Sequence, residues 1–150
     1  KVFHLYKLHG SLTWERNGND ILMKSKPTDP LIIYPADEKY ESSYEQPYFE
    51  MMSRFQQSLR KEDTILFVIG FGFMDKHIQN VIIEAVEQNP SFHLVIIQYN
   101  TKGEIDPTAI GSYLKSDGNA KDNVTVIFDT FSDFTSSFPL NKTYFPIPTS

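Results

Sequence analysis

Residues 65–86 read ILFVIGFGFMDKHIQNVIIEAV and carry three consecutive signals of an α/β fold. The apolar run ILFVI at 65–69 is short and apolar on both faces, which predicts a central parallel strand sandwiched between helices. The glycines of GFG at 70–72 end that strand. An amphipathic helix then follows Asp75, a residue type that caps helix amino termini. Its apolar residues recur at steps of three and four, at Ile78, Val81, Ile82, Ala85 and Val86.

Further alternation of helices and strands surrounds this stretch. A helix pattern runs from Pro47 to near Lys61, and a second apolar strand, FHLVII, spans 92–97. The remaining predicted elements are a short helix at 106–115, a third buried strand at 124–128 and a short helix at 130–138. Such alternation predicts a Rossmann-like parallel sheet with helices on both faces.

The amino-terminal third reads differently. Residues 1–8 alternate in a way that predicts a core strand. Two short apolar runs then flank Asn17-Gly18, a pair that favours a β-hairpin turn. Four prolines lie between 24 and 47 around one further short strand, at 31–34. We therefore expect a small hairpin and loop insertion at about 12–46.

Composition excludes several classes of protein. The chain has 150 residues, 40% of them hydrophobic, with a net charge of −5 and no cysteine. A chain of this size can bury a core, and the acidic balance argues against nonspecific nucleic-acid binding. Disulfides and thiolate zinc sites are excluded. No apolar run is long enough to span a bilayer and no signal peptide opens the chain, so we expect a cytoplasmic protein.

Candidate site residues follow the ends of predicted strands. In open parallel sheets, ligands bind beyond the carboxyl ends of the strands. The segment His9-Gly10-Ser11 follows the first predicted strand, 70–75 the second, and Gln98-Tyr99-Asn100 the third. An imidazole suits proton transfer near neutral pH, although a structural, hydrogen-bonded histidine is the alternative.

The glycine loop has two interpretations. Glycines at 70 and 72 let backbone amides approach a ribose or phosphate, and the following helix adds the positive end of its dipole. Alternatively, the glycines serve only a tight turn and Asp75 only caps the helix. We interpret the other histidines, His4, His77 and His93, as structural.

Three segments together resemble the later part of a sirtuin-like domain. They are LYKLHGSLTW at 5–14, ILFVIGFGFMDKHIQNVI at 65–82 and LVIIQYN at 94–100. The resemblance covers roughly residues 1–130 and is closer to the bacterial sirtuin-like NAD hydrolases of antiphage defence than to protein deacylases.

The resemblance implies roles for individual residues. His9 would act at the nicotinamide ribose as the catalytic residue, and Asn100 would line the adenosine end. The loop would contact the nucleotide through Gly70, Phe71, Gly72, Phe73 and Asp75.

Two departures from the family pattern stand out. The family's amino-terminal glycine-rich loop and its catalytic asparagine are not in this sequence. Because the chain opens with Lys1, we expect it to be the later, carboxyl-terminal portion of a single domain whose amino-terminal part is missing, and to be inactive by itself. The four cysteines of the deacylase zinc module are also absent, so a zinc-free deacylase is the weakest of the functions implied.

The activity that the resemblance implies is hydrolysis of NAD, the substrate, to ADP-ribose and nicotinamide without zinc. Such NAD depletion is generally gated, which implies a homo-oligomer or an activating protein partner. Two alternatives stay open: a noncatalytic module that senses NAD or ADP-ribose, and an interaction domain without ligand affinity.

Overall fold

The computed structural model describes residues 3–33, 46–99, 115–116 and 119–138. The strands, in chain order, are β1 (Gly10–Asn17), β2 (Asp20–Met23), β3 (Pro30–Ile32), β4 (Ile65–Ile69), β5 (His93–Gln98), β6 (Lys115–Ser116), β7 (Asn119–Ala120) and β8 (Val124–Phe128). The helices are α1 (Tyr48–Leu59), α2 (Lys76–Gln88) and α3 (Phe131–Ser137).

The main sheet is parallel, with strand order β4-β5-β8. Ile69 of β4 pairs with Ile97 of β5, which in turn pairs with Ile127 of β8. The carboxyl ends of the three strands therefore lie side by side. This arrangement, with its helices, confirms the predicted Rossmann-like α/β fold.

The core lies between this sheet and helices α1 and α2. Leu94, Phe92 and Ile82 are its most deeply buried large side chains, at 0%, 1% and 2% exposure. The other buried members are Leu59, Val68, Phe73, Ala85, Val86, Ile96 and Val124. Both helices begin and end close to the positions that their apolar periodicity predicts.

Polar contacts join the two helices at their ends. The Nδ2 group of Asn89 donates to the carbonyl oxygens of Leu59 and Lys61, each at 2.9 Å. Glu84 of α2 accepts hydrogen bonds from Arg60 and Gln56, and the Arg60 bond is the main reason why the pKa of Glu84 lies below its ordinary value. These contacts fix α1 against α2.

The opposite face of the sheet carries α3. Phe67, which points away from the core, packs its ring against Phe134 at 6.2 Å and against Phe138 at 5.6 Å between centroids. Helices therefore lie on both faces, as predicted. Ile65 and Ile69 on this second face are 59% and 42% exposed, which shows that α3 covers the face only in part.

Within the described residues, β4 has a neighbouring strand on one side only. The sequence indicated a central strand, but in the described sheet β4 lies at an edge and β5 is central. An apolar run shows that both faces of a strand can be buried, yet it does not show which strands lie beside it. The order depends on long-range pairing.

The predicted strand at 1–8 is wrong over its described part. Residues 3–7 have no regular secondary structure, and Phe3 and Leu5 are 88% and 72% exposed. An alternating pattern becomes a strand only when another strand supplies hydrogen bonds, and no strand among the described residues pairs with 3–7. The first strand begins at Gly10.

A small antiparallel sheet of order β2-β1-β3 follows. Asn17 pairs with Asp20, so Gly18 and Asn19 form a two-residue hairpin loop in which Gly18 has a φ of +60°. The predicted hairpin is confirmed, as is the short strand that β3 provides. The pairing of β1 with β3 was not predicted.

Part of the chain falls outside the described residues. The predicted helix at 106–115 lies there except for its last residue, which belongs to β6. The two-residue strands β6 and β7 pair with each other and were not predicted.

Candidate active site

The loop at 70–75 joins β4 to α2 at the carboxyl edge of the sheet. Gly70 has a φ of +69°, a conformation that favours glycine, and Phe73 adopts a φ of +55°, which is uncommon for a bulky residue. The Phe73 ring is buried in the core and meets the Phe71 ring edge-on at 4.9 Å. The ring of Phe73 is thus not accessible to a ligand, and only its backbone could serve one. Backbone strain of this kind is concentrated at functional sites.

Gly72 differs from Gly70. Its φ is not in the left-handed region, and a Cβ atom at this position would have no neighbour within 4 Å. The fold itself therefore does not require glycine at position 72. A ligand that approaches the backbone closely would supply such a requirement.

Asp75 acts as the predicted helix cap. Its Oδ1 atom accepts hydrogen bonds from the backbone N–H groups of His77 and Ile78, at 2.9 and 3.1 Å. Its Oδ2 atom lies 2.7 Å from Nε2 of His9. One carboxylate thus joins the amino terminus of α2 to the segment that precedes β1.

The backbone around His9 is held on both sides. The His9 carbonyl accepts from the N–H of Ile33 at 2.9 Å, and the N–H of Gly10 donates to the carbonyl of Lys7 at 2.9 Å. Gly10 has a φ of +82° and lies against the Leu31 carbonyl. These contacts aim the His9 side chain at the glycine loop, while 42% of that side chain stays exposed.

Contacts among polar side chains also support the segment that holds His9. Lys7 Nζ donates to Oγ of Ser11 at 2.8 Å and lies 5.6 Å from the centre of the Trp14 ring. Ser11 is 8% exposed and also contacts Thr13 Oγ1 at 3.0 Å. The motif LYKLHGSLTW therefore builds its own local scaffold around His9.

The third strand end contributes less than predicted. Gln98 ends β5, and the next residue, Tyr99, is 73% exposed. Asn100, the predicted contact to the adenosine end, lies outside the described residues. The adjacent strand β8 is followed by Asp129, whose Oδ1 accepts from the N–H of Thr130 at 2.8 Å.

The structure therefore brings together His9, Asp75 and the glycine loop. Sequence reasoning named Gly10 beside His9 without showing that the fold requires glycine there, and it missed Lys7 and, at the end of β8, Asp129. A carboxylate directly after a predicted strand was a signal for Asp129. The requirement for Gly10 depends on β3, which lies more than 20 residues further along the chain.

An open groove lies elsewhere, between α1 and α2. It has a volume of about 320 Å³ and is lined by residues that include Gln56, Arg60, Glu84 and Gln88. None of the predicted site residues lines it. Because Arg60 and Glu84 already form an ion pair with each other, the site at the carboxyl ends of the strands, which contains His9, is the better candidate for catalysis.

Within the described ranges, no group of three or more histidine, aspartate or glutamate side chains could hold a metal ion. None of the helices described above is both long and apolar enough to cross a membrane.

The parallel sheet, the glycine loop after β4 and the histidine at its edge define a Rossmann-like α/β domain with a candidate nucleotide site. Residues 1–120 match the family model described as SIR2-like domain, and the chain belongs to that family. Membership connects the chain with the NAD chemistry of sirtuin-like proteins. A comparison with curated proteins gave no match. The expectation that the chain is the carboxyl-terminal portion of its domain stays a prediction.

Proposed function

We propose that the chain is part of an NAD hydrolase that converts NAD and water to ADP-ribose and nicotinamide. The proposal rests on one observation above all: Nε2 of His9 lies 2.7 Å from the carboxylate of Asp75, beside the glycine loop. A histidine oriented by a carboxylate is the arrangement that general-base catalysis uses. Membership of the SIR2-like family supplies the substrate class.

The chemistry follows from the bond that breaks. Cleavage of the bond between ribose and nicotinamide leaves the electron pair on nicotinamide and creates positive charge at the ribose carbon that was bonded to nicotinamide. Water adds to that carbon and loses a proton. His9 accepts a proton from a ribose hydroxyl as this bond breaks, and the proton that water loses returns to the same ribose oxygen, so one proton is released in all. In this scheme the loop at 70–73 holds the nucleotide through backbone N–H groups. No metal ion takes part in any step.

The biological setting is part of the proposal and is supported by the resemblance to antiphage-defence hydrolases. Uncontrolled hydrolysis would deplete cellular NAD. The activity is therefore expected to be gated by self-association or by an activating protein partner, and to act in the cytoplasm.

The test is nicotinamide release from NAD by the intact protein, with and without a phage-derived trigger. His9→Ala should abolish release while leaving the melting temperature nearly unchanged, because the His9 side chain is 42% exposed. His93→Ala is the matched control. Nε2 of His93 lies 2.8 Å from Oγ1 of Thr125, at the amino-terminal ends of the strands and so on the side of the sheet opposite to His9. Its loss should leave turnover intact.

Other outcomes select other functions. Full turnover by His9→Ala would remove His9 from the mechanism. If the wild type releases no nicotinamide under any condition, yet NAD raises its melting temperature, the chain is a noncatalytic sensing module. If NAD changes neither turnover nor melting temperature, the chain is an interaction domain.

A further inference from the structure

Asp75 divides its two carboxylate oxygens between two different elements. Oδ1 caps α2 by accepting from His77 and Ile78, while Oδ2 faces Nε2 of His9. The Asp75 side chain is 24% exposed. Since both oxygens are engaged within the protein, position 75 is poorly placed to bind a nucleotide as well.

The contact determines which ring nitrogen of His9 carries the proton. A carboxylate has no proton to donate, so Nε2 of His9 must carry a hydrogen and donate it to Oδ2. In the neutral ring, the second nitrogen, Nδ1, then holds the free electron pair. A base needs such an electron pair, and only Nδ1 can supply it while the Asp75 contact persists.

We propose that Asp75 is a positioning residue, which orients His9 and makes Nδ1 the nitrogen that accepts the substrate proton. The inference rests on the proposed hydrolase function for its catalytic part. It replaces the nucleotide contact that the family resemblance implies for this position. The structural part, the tautomer of His9, holds whether or not NAD is cleaved.

The rest of the site is consistent with this role for Asp75. The His9 backbone is fixed by Ile33 and by the turn from Lys7 to Gly10, which leaves ring rotation as the main freedom of the residue. The Asp75 contact restrains that rotation. Asp75 is itself restrained, because it must keep its capping geometry on α2.

Two substitutions separate capping from positioning. Asparagine and serine both cap helices well, so neither Asp75→Asn nor Asp75→Ser should lower the melting temperature by more than about 2 °C. In Asp75→Asn the amide oxygen keeps the cap and the amide nitrogen faces His9. That nitrogen donates to Nε2 and moves the ring proton to Nδ1. The shorter serine side chain leaves the ring without a partner.

The experiment combines two readouts on the intact protein. Nitrogen-15 NMR of labelled histidine, without NAD, should show the Nε2–H tautomer of His9 in the wild type, the Nδ1–H tautomer in Asp75→Asn and a mixture in Asp75→Ser. Nicotinamide release should show kcat reduced about 100-fold in Asp75→Asn with KM unchanged, as expected when a general base is lost.

Each contrary result overturns a specific part of the proposal. A wild-type ring that carries its proton on Nδ1, or one whose tautomer is insensitive to Asp75→Asn, overturns the positioning role even if the protein never cleaves NAD. A variant with normal kcat and raised KM makes Asp75 a nucleotide contact instead. If the wild type shows the expected tautomer but no turnover, the hydrolase function fails and the positioning role stands.

Discussion

Gly10 lies directly against the backbone carbonyl of Leu31, so closely that a Cβ atom at position 10 would overlap the carbonyl oxygen. The same Cβ would also lie 2.9 Å from a ring carbon of Tyr48. The backbone of Gly10 is in the left-handed region, with φ at +82°. One residue thus brings β3 and α1 close to the segment that holds His9.

The Gly10→Ala variant should therefore be strongly destabilised. It combines left-handed strain, which costs about 1–2 kcal/mol, with a clash against backbone that cannot move freely. Gly18→Ala is the matched control, because Gly18 also has a positive φ but a Cβ there would have no neighbour within 4 Å. Urea denaturation should show the strain cost alone for Gly18→Ala and a clearly larger loss for Gly10→Ala. Equal losses would mean that the contact with Leu31 carries no weight.

Gly72→Ala tests whether the loop serves a ligand or only a turn. The substitution needs no backbone change and meets no neighbouring atom, so the free energy of unfolding should stay within about 0.5 kcal/mol of wild type. A methyl group that intrudes on a bound nucleotide should weaken NAD binding about tenfold or more, measured by calorimetry on the intact protein. Unchanged affinity would limit this glycine to an ordinary turn.

Gly70→Ala provides the contrasting case. Its φ of +69° makes the substitution strained, although a Cβ there also has open space. We expect lower stability from Gly70→Ala, in contrast to Gly72→Ala. The comparison of the two variants separates a conformational requirement for glycine from a ligand requirement.

The helix pattern and cap of α2 could be predicted because their causes are local. Apolar spacing from Ile78 to Val86 and the identity of Asp75 suffice to place the helix and its first turn. The His9 contact with Asp75 could not be predicted, since those residues are 66 positions apart and their approach depends on how the segment before β1 lies against the start of α2. Even the family resemblance implied a nucleotide contact for Asp75, not a histidine partner.

The sequence could not show, for the same reason, whether β4 or β5 lies at the centre of the sheet. The run at 65–69 reads like the equally apolar run of β5, yet the two strands occupy different places in the sheet. Local sequence reports how much of a strand can be buried. The number of neighbours that a strand has is set by the rest of the chain.

Leu94→Ala should cost about 2–5 kcal/mol of unfolding free energy, because Leu94 is fully buried at the centre of the sheet. Ile65→Ala, in another strand of the same parallel sheet, is the control. Because Ile65 is 59% exposed, its truncation should cost less than about 1 kcal/mol. Thermal or urea unfolding measures both. Comparable losses would contradict the exposure of Ile65 on the face of the sheet that α3 covers only in part.

The contact of Arg60 with Glu84 should make stability depend on pH. The folded pKa of Glu84 lies below its ordinary value, so the pair stabilises the fold above that ordinary value and loses its effect as the pH falls through the folded one. Arg60 is 61% exposed, and the stabilisation at neutral pH should be only about 0.5 kcal/mol.

A double-mutant cycle with Arg60→Gln and Glu84→Gln measures this coupling directly. Urea unfolding at pH 7 should give the full coupling energy, and the coupling should fall towards zero as the same cycle is repeated at pH values that pass below the lowered, folded pKa of Glu84. A coupling that does not change over this range of pH would show that the charge of Glu84 is irrelevant to it.

The position of β4 has a practical consequence for solubility. Within the described residues, β4 pairs with β5 alone, which leaves one row of its backbone donors and acceptors without a partner strand. Ile65 and Ile69 stand exposed along that strand, and it contains neither proline nor a charged residue, the features that usually protect an edge from strand addition. For the part of the chain that the structure describes, this edge is where aggregation through β-strand pairing should begin, and Ile65→Lys is the simplest means to suppress it.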